Sequence, residues 1–344
     1  MKLTITALAA GGDGVARDDF GRVTFVPRTA PGDVVEVRIA KATKSYARAE
    51  LVRVVTPGAR VEPACAYFAR GCGGCAWQHV AYPQQLAAKQ AIVEGALRRT
   101  GATVHPIAHP APPLGWRRRA RFHVVDGRVG LYRWASHELI EIAHCPQLDP
   151  RLTIPRHAMD GELAIALGHD GAVAIDDEHV ALEPDLIIRA RDFAQASADA
   201  NAALIACARA ALGPGPGTLI ELHAGAGNFT RGFRADDWTV TPSDAVPPLH
   251  PPDGFIVATA EDMLARVERC DAVVLDPPRA GAAEAIDHLQ RLAPRTIVYI
   301  SCDAATLARD VERLTKYRAT DAWPFDAMPQ TAHIETVLRL ALRE

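Results

Sequence analysis

The sequence predicts an α/β protein: a doubly wound parallel sheet in the C-terminal part, preceded by a small N-terminal β-barrel. Three observations carry this. From about residue 189, short apolar runs alternate with helical stretches, the rhythm of βαβ units. Residues 1–57 instead hold short β-branched runs broken by turn residues, with no helical period. Between them, residues 58–188 are less regular and crowd three cysteines together. The 344 residues suffice for two or three domains. Hydrophobic residues are 49% and charged residues 23%, so a packed core can form and wholesale disorder is excluded. A formal net charge of −3 excludes a chain that is polybasic throughout, although not a local basic patch. No apolar run approaches the ~18–20 residues of a membrane span, and the N-terminus lacks the apolar stretch of a secretory signal. A cytoplasmic protein that binds no membrane is expected.

Taken in order, runs at 21–26, 33–39 and 47–55 read as strands, punctuated by Gly11-Gly12, Pro31-Gly32 and Pro57-Gly58. A barrel of about five strands removes their exposed edges. Its charges lean basic, and Lys41-Ala-Thr-Lys44-Ser-Tyr46 sets an aromatic among cations, as a single-strand nucleic-acid platform does. Residues 83–100 have a helical pattern, with Leu86, Ile92, Val93 and Leu97 apolar and Gly101 as the stop. An Asp126-Gly127 turn joins strands at 119–125 and 128–133. Arginines 117, 118, 119, 121, 128 and 133 face a single acid there, a density that suits phosphate contacts. Residues 192–212 read as an Ala-rich helix, and 218–222, 272–275 and 296–300 as buried strands.

Five constellations carry chemistry. Cys65, Cys72 and Cys75 surround a Gly-Gly hinge, and Cys145 is the best fourth ligand. Four thiolates suit tetrahedral zinc or an iron–sulfur cluster, and the three-plus-one spacing favours the cluster. The strand at 218–222 runs into Gly225-Ala-Gly227-Asn228, where glycines let a ligand approach the backbone at a strand's carboxyl end. Thr230 stands where a dinucleotide fingerprint needs a third glycine, so a nucleoside cofactor without pyrophosphate, such as S-adenosylmethionine, fits better. Asp244, about twenty residues on, can accept from both ribose hydroxyls. Asp276-Pro-Pro-Arg279 ends another buried strand at the same crevice. Cys302 sits at the tip of the next, where the following helix N-terminus is expected to lower its pKa and make it a nucleophile. Glu335, opening the last apolar strand, can reach the crevice as a base.

These pieces in this order resemble the S-adenosylmethionine-dependent RNA uridine-C5 methyltransferases over nearly the whole chain. The most specific are Asp276-Pro-Pro-Arg-Ala-Gly281, Ser301-Cys302 followed by Ala305-Thr-Leu-Ala-Arg-Asp310, and His333-Ile-Glu335. The resemblance implies a TRAM/OB-like barrel at 1–57, a central α+β domain at 58–188 and a Rossmann-like class I methyltransferase domain at 189–344. It implies a [4Fe–4S] cluster on Cys65, Cys72, Cys75 and Cys145, with zinc the lesser alternative. It further implies Cys302 as nucleophile, Glu335 as base, and cofactor contacts at Gln195, His223, Gly225, Gly227, Asn228, Asp244 and Asp276. The partner implied is rRNA or tRNA; the oligomeric state is left open, with a monomer as the default expectation. Departures are a six-residue first cysteine gap, Glu221 and His223-Ala224 in the glycine motif, Thr259, Asp303, and a Pro-rich 246–252 in place of a helix. They keep a rival in view, an RNA-binding or chaperone protein of the same fold that has lost catalysis. A methyltransferase for another base atom is disfavoured, because N-methylation needs neither Cys302 nor Glu335.

Overall fold

The computed structural model describes residues 1–156 and 159–344. At the N-terminus, β1 (Lys2–Thr4), β2 (Ala7–Leu8), β3 (Gly14–Arg17), β4 (Val23–Val26), β5 (Val34–Ala42) and β6 (Tyr46–Thr56) form one sheet in the order β1-β5-β6-β4-β3-β2. The sheet curls so that Thr6 donates its N–H to the Val15 carbonyl at 2.8 Å. Leu3, Ile5, Ala16, Val26, Val35, Val37 and Ala49 fill its inside. The strand beyond the five expected is the two-residue β2, too short to show a period. Arg28 ties this unit to the cysteine loop, donating to the carbonyls of Phe68 (2.6 Å) and Cys72 (2.9 Å). The fully buried Trp77 reaches back to the Gly12 carbonyl at 2.9 Å.

The middle of the chain contains α1 (Ala66–Ala69), α2 (Tyr82–Leu97), β7 (Thr103–Val104), β8 (Arg119–Val125), β9 (Arg128–Tyr132), β10 (Leu139–Glu141), β11 (Gly161–Leu167), β12 (Val173–Ile175), β13 (His179–Glu183) and β14 (Leu186–Arg189). An antiparallel sheet runs β10-β9-β8-β11-β12 over a core of Phe122, Val124, Leu163, Ile165 and Leu167, and β13 pairs with β14. The Asp126-Gly127 turn joins β8 to β9 with both residues at positive φ, as a tight hairpin requires. Two elements face elsewhere. Val93 and Leu97 of α2 join the core of the C-terminal sheet, and β7 is its edge strand.

That sheet follows α3 (Ala198–Leu212). Its strands and helices are β15 (Gly217–Leu222), α4 (Thr230–Ala235), β16 (Trp238–Asp244), β17 (Ile256–Val257), α5 (Ala260–Arg266), β18 (Ala272–Leu275), α6 (Ile286–Leu292), β19 (Thr296–Ser301), α7 (Ala304–Arg313), β20 (Tyr317–Phe325) and β21 (Glu335–Leu342). The order is β17-β16-β15-β18-β19-β21-β20-β7, parallel from β17 to β19, with β21 antiparallel to both neighbours. Strand residues alternate between two cores. Ile220, Leu222, Val273 and Leu275 pack with α2, α5, α6 and α7 on one face. Leu219, Ala272 and Val274 pack with α3 and α4 on the other. The chain steps from β15 outward to β17 and then back to β18, so a crevice opens at the carboxyl ends of β15 and β18.

α3 starts at Ala198 rather than at 192. Ser197 caps it, accepting from the Ala200 N–H at 3.2 Å, and residues 190–196 form a strap held from outside. Between β16 and β17 the chain is helix-free, consistent with its four prolines.

Candidate active site

Strand register brings the two expected catalytic residues together. Ser301 at the end of β19 pairs with Thr336 of β21, so Cys302 and Glu335 follow one step further along the same ladder. Glu335 lies in the electrostatic surroundings of Cys302: its charge raises the thiol, and Asp276 raises both. Burial is the larger cause in each case. It pushes the half-buried Cys302 thiol up to about 11 and Glu335, 4% exposed, up to about 8. Asp276 is raised by burial to about 7. The expectation of a lowered thiol pKa is therefore corrected. The Asp303 carboxylate caps α7, accepting the N–H groups of Ala305 (3.0 Å) and Thr306 (2.9 Å), so those donors are spent before they can face a thiolate.

Arg279 supplies the opposing charge, lowering both Cys302 and Glu335. It contacts the His333 ring nitrogens at 2.6 and 3.1 Å. Burial, then Arg279, hold His333 down at about 4, so the ring is neutral and can accept. The loop bearing Asp276 and Arg279 is shaped from α7. Buried Asp310 accepts the Ala282 N–H (2.8 Å) and the Tyr299 hydroxyl (2.9 Å). Gly281 has φ +83°, and a side chain there would overlap the Asp310 carboxylate. The Asp310 motif thus positions the Asp276 motif.

The segment between β20 and β21 that leads to Glu335 is anchored from α2. Lys89 and Asp326 form a fully buried ion pair at 2.5 Å, and Tyr82 donates to the same carboxylate at 2.8 Å. Gln85 donates to Gln330 at 2.9 Å. None of these five was picked out by sequence reasoning. The pairs are more than 230 residues apart, and no local pattern joins them.

At the head of β15 the glycine turn has the form of a ligand cradle. Gly225 lies at φ +52°, and a Cβ added to it would meet nothing within 4 Å. Its N–H donates to Asp244 Oδ2 at 3.0 Å, while Asp244 Oδ1 accepts from Val246 N–H at 3.1 Å. Gly227, at φ +83°, lets Pro252 approach closely. His223 Nε2 is buried with no partner, and burial lowers the ring's pKa. Asn228 is turned partly away, exchanging two amide bonds (2.9 and 2.8 Å) with Asn201 of α3. Glu221 is buried, accepts from the Thr230 hydroxyl at 2.6 Å, and is raised to about 8 by desolvation. Gln195 is half-buried on the strap. Its neighbour Ala194 and Ala226 of the glycine turn each pack against the same apolar cluster.

Cys65, Cys72, Cys75 and Cys145 line a single cavity of ≈ 110 Å³, walled by Tyr67, Phe68, Phe122 and Leu148. Burial raises Cys72, Cys75 (to about 12) and Cys145, and the thiols raise one another. Arg117 lines the same cavity and opposes the shift at Cys75 and Cys145. Among the described residues, no three His, Cys, Asp or Glu side chains converge tightly enough to hold one metal ion.

The arginine-rich hairpin is largely not a phosphate face. Arg118 is buried, and Arg119, lowered to about 10 chiefly by burial, is spent on backbone carbonyls. Arg133 pairs with Glu138 at 2.7 Å. In the barrel, Arg53 pairs with Glu36 at 2.7 Å, and Lys41 and Lys44 stand exposed near Tyr46. No helix among the described residues is long and apolar enough to cross a membrane.

The parallel sheet, its glycine cradle and the acid ending β16 define a methyltransferase of the S-adenosylmethionine-dependent class. Comparison with known proteins then fixes the family. Residues 1–52 match the TRAM domain, and 261–343 match the tRNA (Uracil-5-)-methyltransferase family. The chain is 32% identical over 404 residues to a 23S rRNA (uracil(1939)-C(5))-methyltransferase of Marinomonas sp., covering 95% of this chain and 91% of that protein. The protein of the same name in Thiobacillus denitrificans is 31% identical over 423 residues, covering 97% and 98%. In three dimensions the chain is similar to the Pyrococcus abyssi tRNA (uracil-54, C5)-methyltransferase, solved with S-adenosyl-L-homocysteine. There the TM-score is 0.73 at 21% identity, covering 99% of this chain and all of that one. The chain belongs to the S-adenosylmethionine-dependent RNA uracil-C5 methyltransferases.

Proposed function

We propose that this enzyme methylates C5 of a uridine in rRNA or tRNA through a covalent bond between Cys302 and C6 of the uracil. The observation that carries the reading is the Cys302–Glu335 juxtaposition at the end of the β19/β21 ladder, with Arg279 beside both. Uracil C5 is a weak nucleophile. Attack of the Cys302 thiolate on C6 forms an S–C6 bond and moves the C5=C6 electrons towards O4, making C5 enolate-like. When bound, S-adenosylmethionine would supply the electrophilic methyl carbon that C5 takes, its S–CH3 bond breaking to leave S-adenosylhomocysteine. Glu335, as carboxylate, removes the remaining C5 proton; the C5=C6 bond re-forms and the S–C6 bond breaks, returning the thiolate. Arg279 favours the charged forms of both residues. The target base must leave its stack to reach this crevice.

Gly225, Gly227, Asp244, His223, Gln195, Asn228 and Asp276 are assigned to the methyl donor. The empty space over Gly225 and the unpartnered His223 nitrogen support this. Asn228 is assigned with its amide held by Asn201. The four cysteines are assigned to a [4Fe–4S] cluster. A single ion draws thiolates tightly together, whereas these four line one cavity, Cys65 and Cys72 buried and Cys75 and Cys145 half-buried, and a cluster bound there would take them as thiolates. The barrel is assigned to RNA.

The test is purified protein with a tritiated methyl donor and unmodified RNA. Label in 5-methyluridine is expected, and none with Cys302→Ala. Undiminished transfer by that variant would refute the mechanism.

A further inference from the structure

The strap at 190–196 joins β14 to α3 and has no ladder of its own. Its carbonyls need donors from elsewhere, and β8 with the residue before it supplies them. Arg119 Nη1 donates to Ala194 O at 2.7 Å; its Nη2 donates to Ala190 O at 3.2 Å and also to Asp192 O. Arg118 donates its backbone N–H to Ala196 O at 2.8 Å. Its guanidinium donates to Leu182 O (3.1 Å) and Glu183 (2.9 Å). Arg121 reaches Arg191 O. Past the strap, α3 is tied to the glycine turn by the Asn201–Asn228 exchange, and Ala194 and Ala226 each pack against one cluster. The strap is therefore held by arginines of the central sheet, and it leads into α3, which is tied to the glycine turn.

We propose that Arg119, supported by Arg118, is a positioning residue for methyl-donor binding: it fixes the strap so that Gln195 stands at the donor crevice. This rests on the assignment of Gln195 as a donor contact. Arg119 acts through the strap and does not touch the donor. Its planar fork serves three carbonyls at 190, 192 and 194 at once. A lysine ammonium of similar reach lacks that geometry, so charge alone does not replace it. Its charge is met chiefly by carbonyl dipoles, with Asp192 a lesser contributor. That arrangement holds a backbone path rather than a phosphate.

The experiment uses full-length protein and three variants, Arg119→Lys, Arg119→Gln and Gln195→Ala. S-adenosylmethionine binding is measured by calorimetry, amide exchange over 190–196 by mass spectrometry, and methyl transfer across donor concentrations. Arg119→Lys is expected to raise the donor Kd about tenfold, the scale of one lost charge-assisted bond set, and Arg119→Gln more. Exchange should quicken over 190–196 and not in the sheet. The loss should fall on KM, with the rate at saturating donor down by less than about threefold. A folded Arg119→Lys with Kd within about twofold of the parent, or with kcat reduced as much as kcat/KM, overturns the proposal. Should Arg119→Gln fail to fold, Arg119→Lys alone decides. Gln195→Ala separates the two readings. If it weakens donor binding while Arg119→Lys does not, the clamp fails alone; if neither does, the assignment of Gln195 fails with it.

Discussion

Replacing Glu335 with glutamine removes the proposed base while keeping its shape. The side chain is 4% exposed, and its carboxyl is raised to about 8 by burial and by Asp276, against the Arg279 charge. Methyl transfer to C5 does not need this base, but expulsion of Cys302 does. The variant should therefore stall after transfer, with release slowed by about 10²–10⁴-fold, the range for a lost general base. A denaturing gel of enzyme, labelled RNA and methyl donor should then show a persistent protein–RNA band that the parent shows only fleetingly. The raised pKa gives the parent a second signature. With the group at about 8, the ionised fraction is about 0.01 at pH 6, about 0.09 at pH 7 and about one-half at pH 8. Release should therefore quicken about ninefold from pH 6 to 7 and level off above 8. A variant that turns over normally, or a release step flat between pH 6 and 8, would refute the base assignment.

Four further outcomes are expected. Arg279→Met should lower the thiolate population of Cys302, slowing adduct formation about tenfold or more at pH 7.5 while donor affinity measured by calorimetry stays unchanged. Lys89→Met leaves Asp326 buried without its counter-charge and should cost about 3–5 kcal/mol in urea unfolding, whereas the double change to Met and Asn should recover part of that loss. Cys72→Ala should remove the iron from purified protein and its visible absorption, and equal iron content would contradict the cluster assignment. Finally, Glu221, Asp276 and Glu335 all have folded pKa values raised above their unfolded ones. Their contribution to stability is intact below about pH 4 and is lost as pH rises through 7–8. Unfolding free energy should thus fall by roughly 1 kcal/mol or more across that window, and less in Glu335→Gln.

What was legible in the sequence was what local chemistry writes. The Asp126-Gly127 turn, the strand at 272–275 and the helix starting around Pro83 all appear within a few residues of expectation, because turn residues and apolar periods mark them. Cys302 and Glu335 were legible as motif positions, and a ladder between strands distant in sequence brings them side by side. The direction of the Cys302 shift was not legible. It depends on burial and on a cap residue, Asp303, that consumes the helix donors. The arginine cluster misled for a related reason. A run of cations looks the same in sequence whether it faces a phosphate or a carbonyl, and only the fold places 190–196 across β8. Lys89 and Asp326 carry no signal at all, since a buried ion pair between remote segments leaves no spacing to read.

The central claim is a bond between one sulfur atom and one ring carbon. RNA carrying 5-fluorouridine offers a base whose C5 substituent cannot leave as a proton, so the enzyme should remain attached after methyl transfer. Digestion and mass spectrometry of that species should find the methylated fluoropyrimidine on the peptide containing Cys302. A stable adduct on any other residue, or 5-methyluridine formed from ordinary RNA with no adduct on the fluorinated one, would contradict the account.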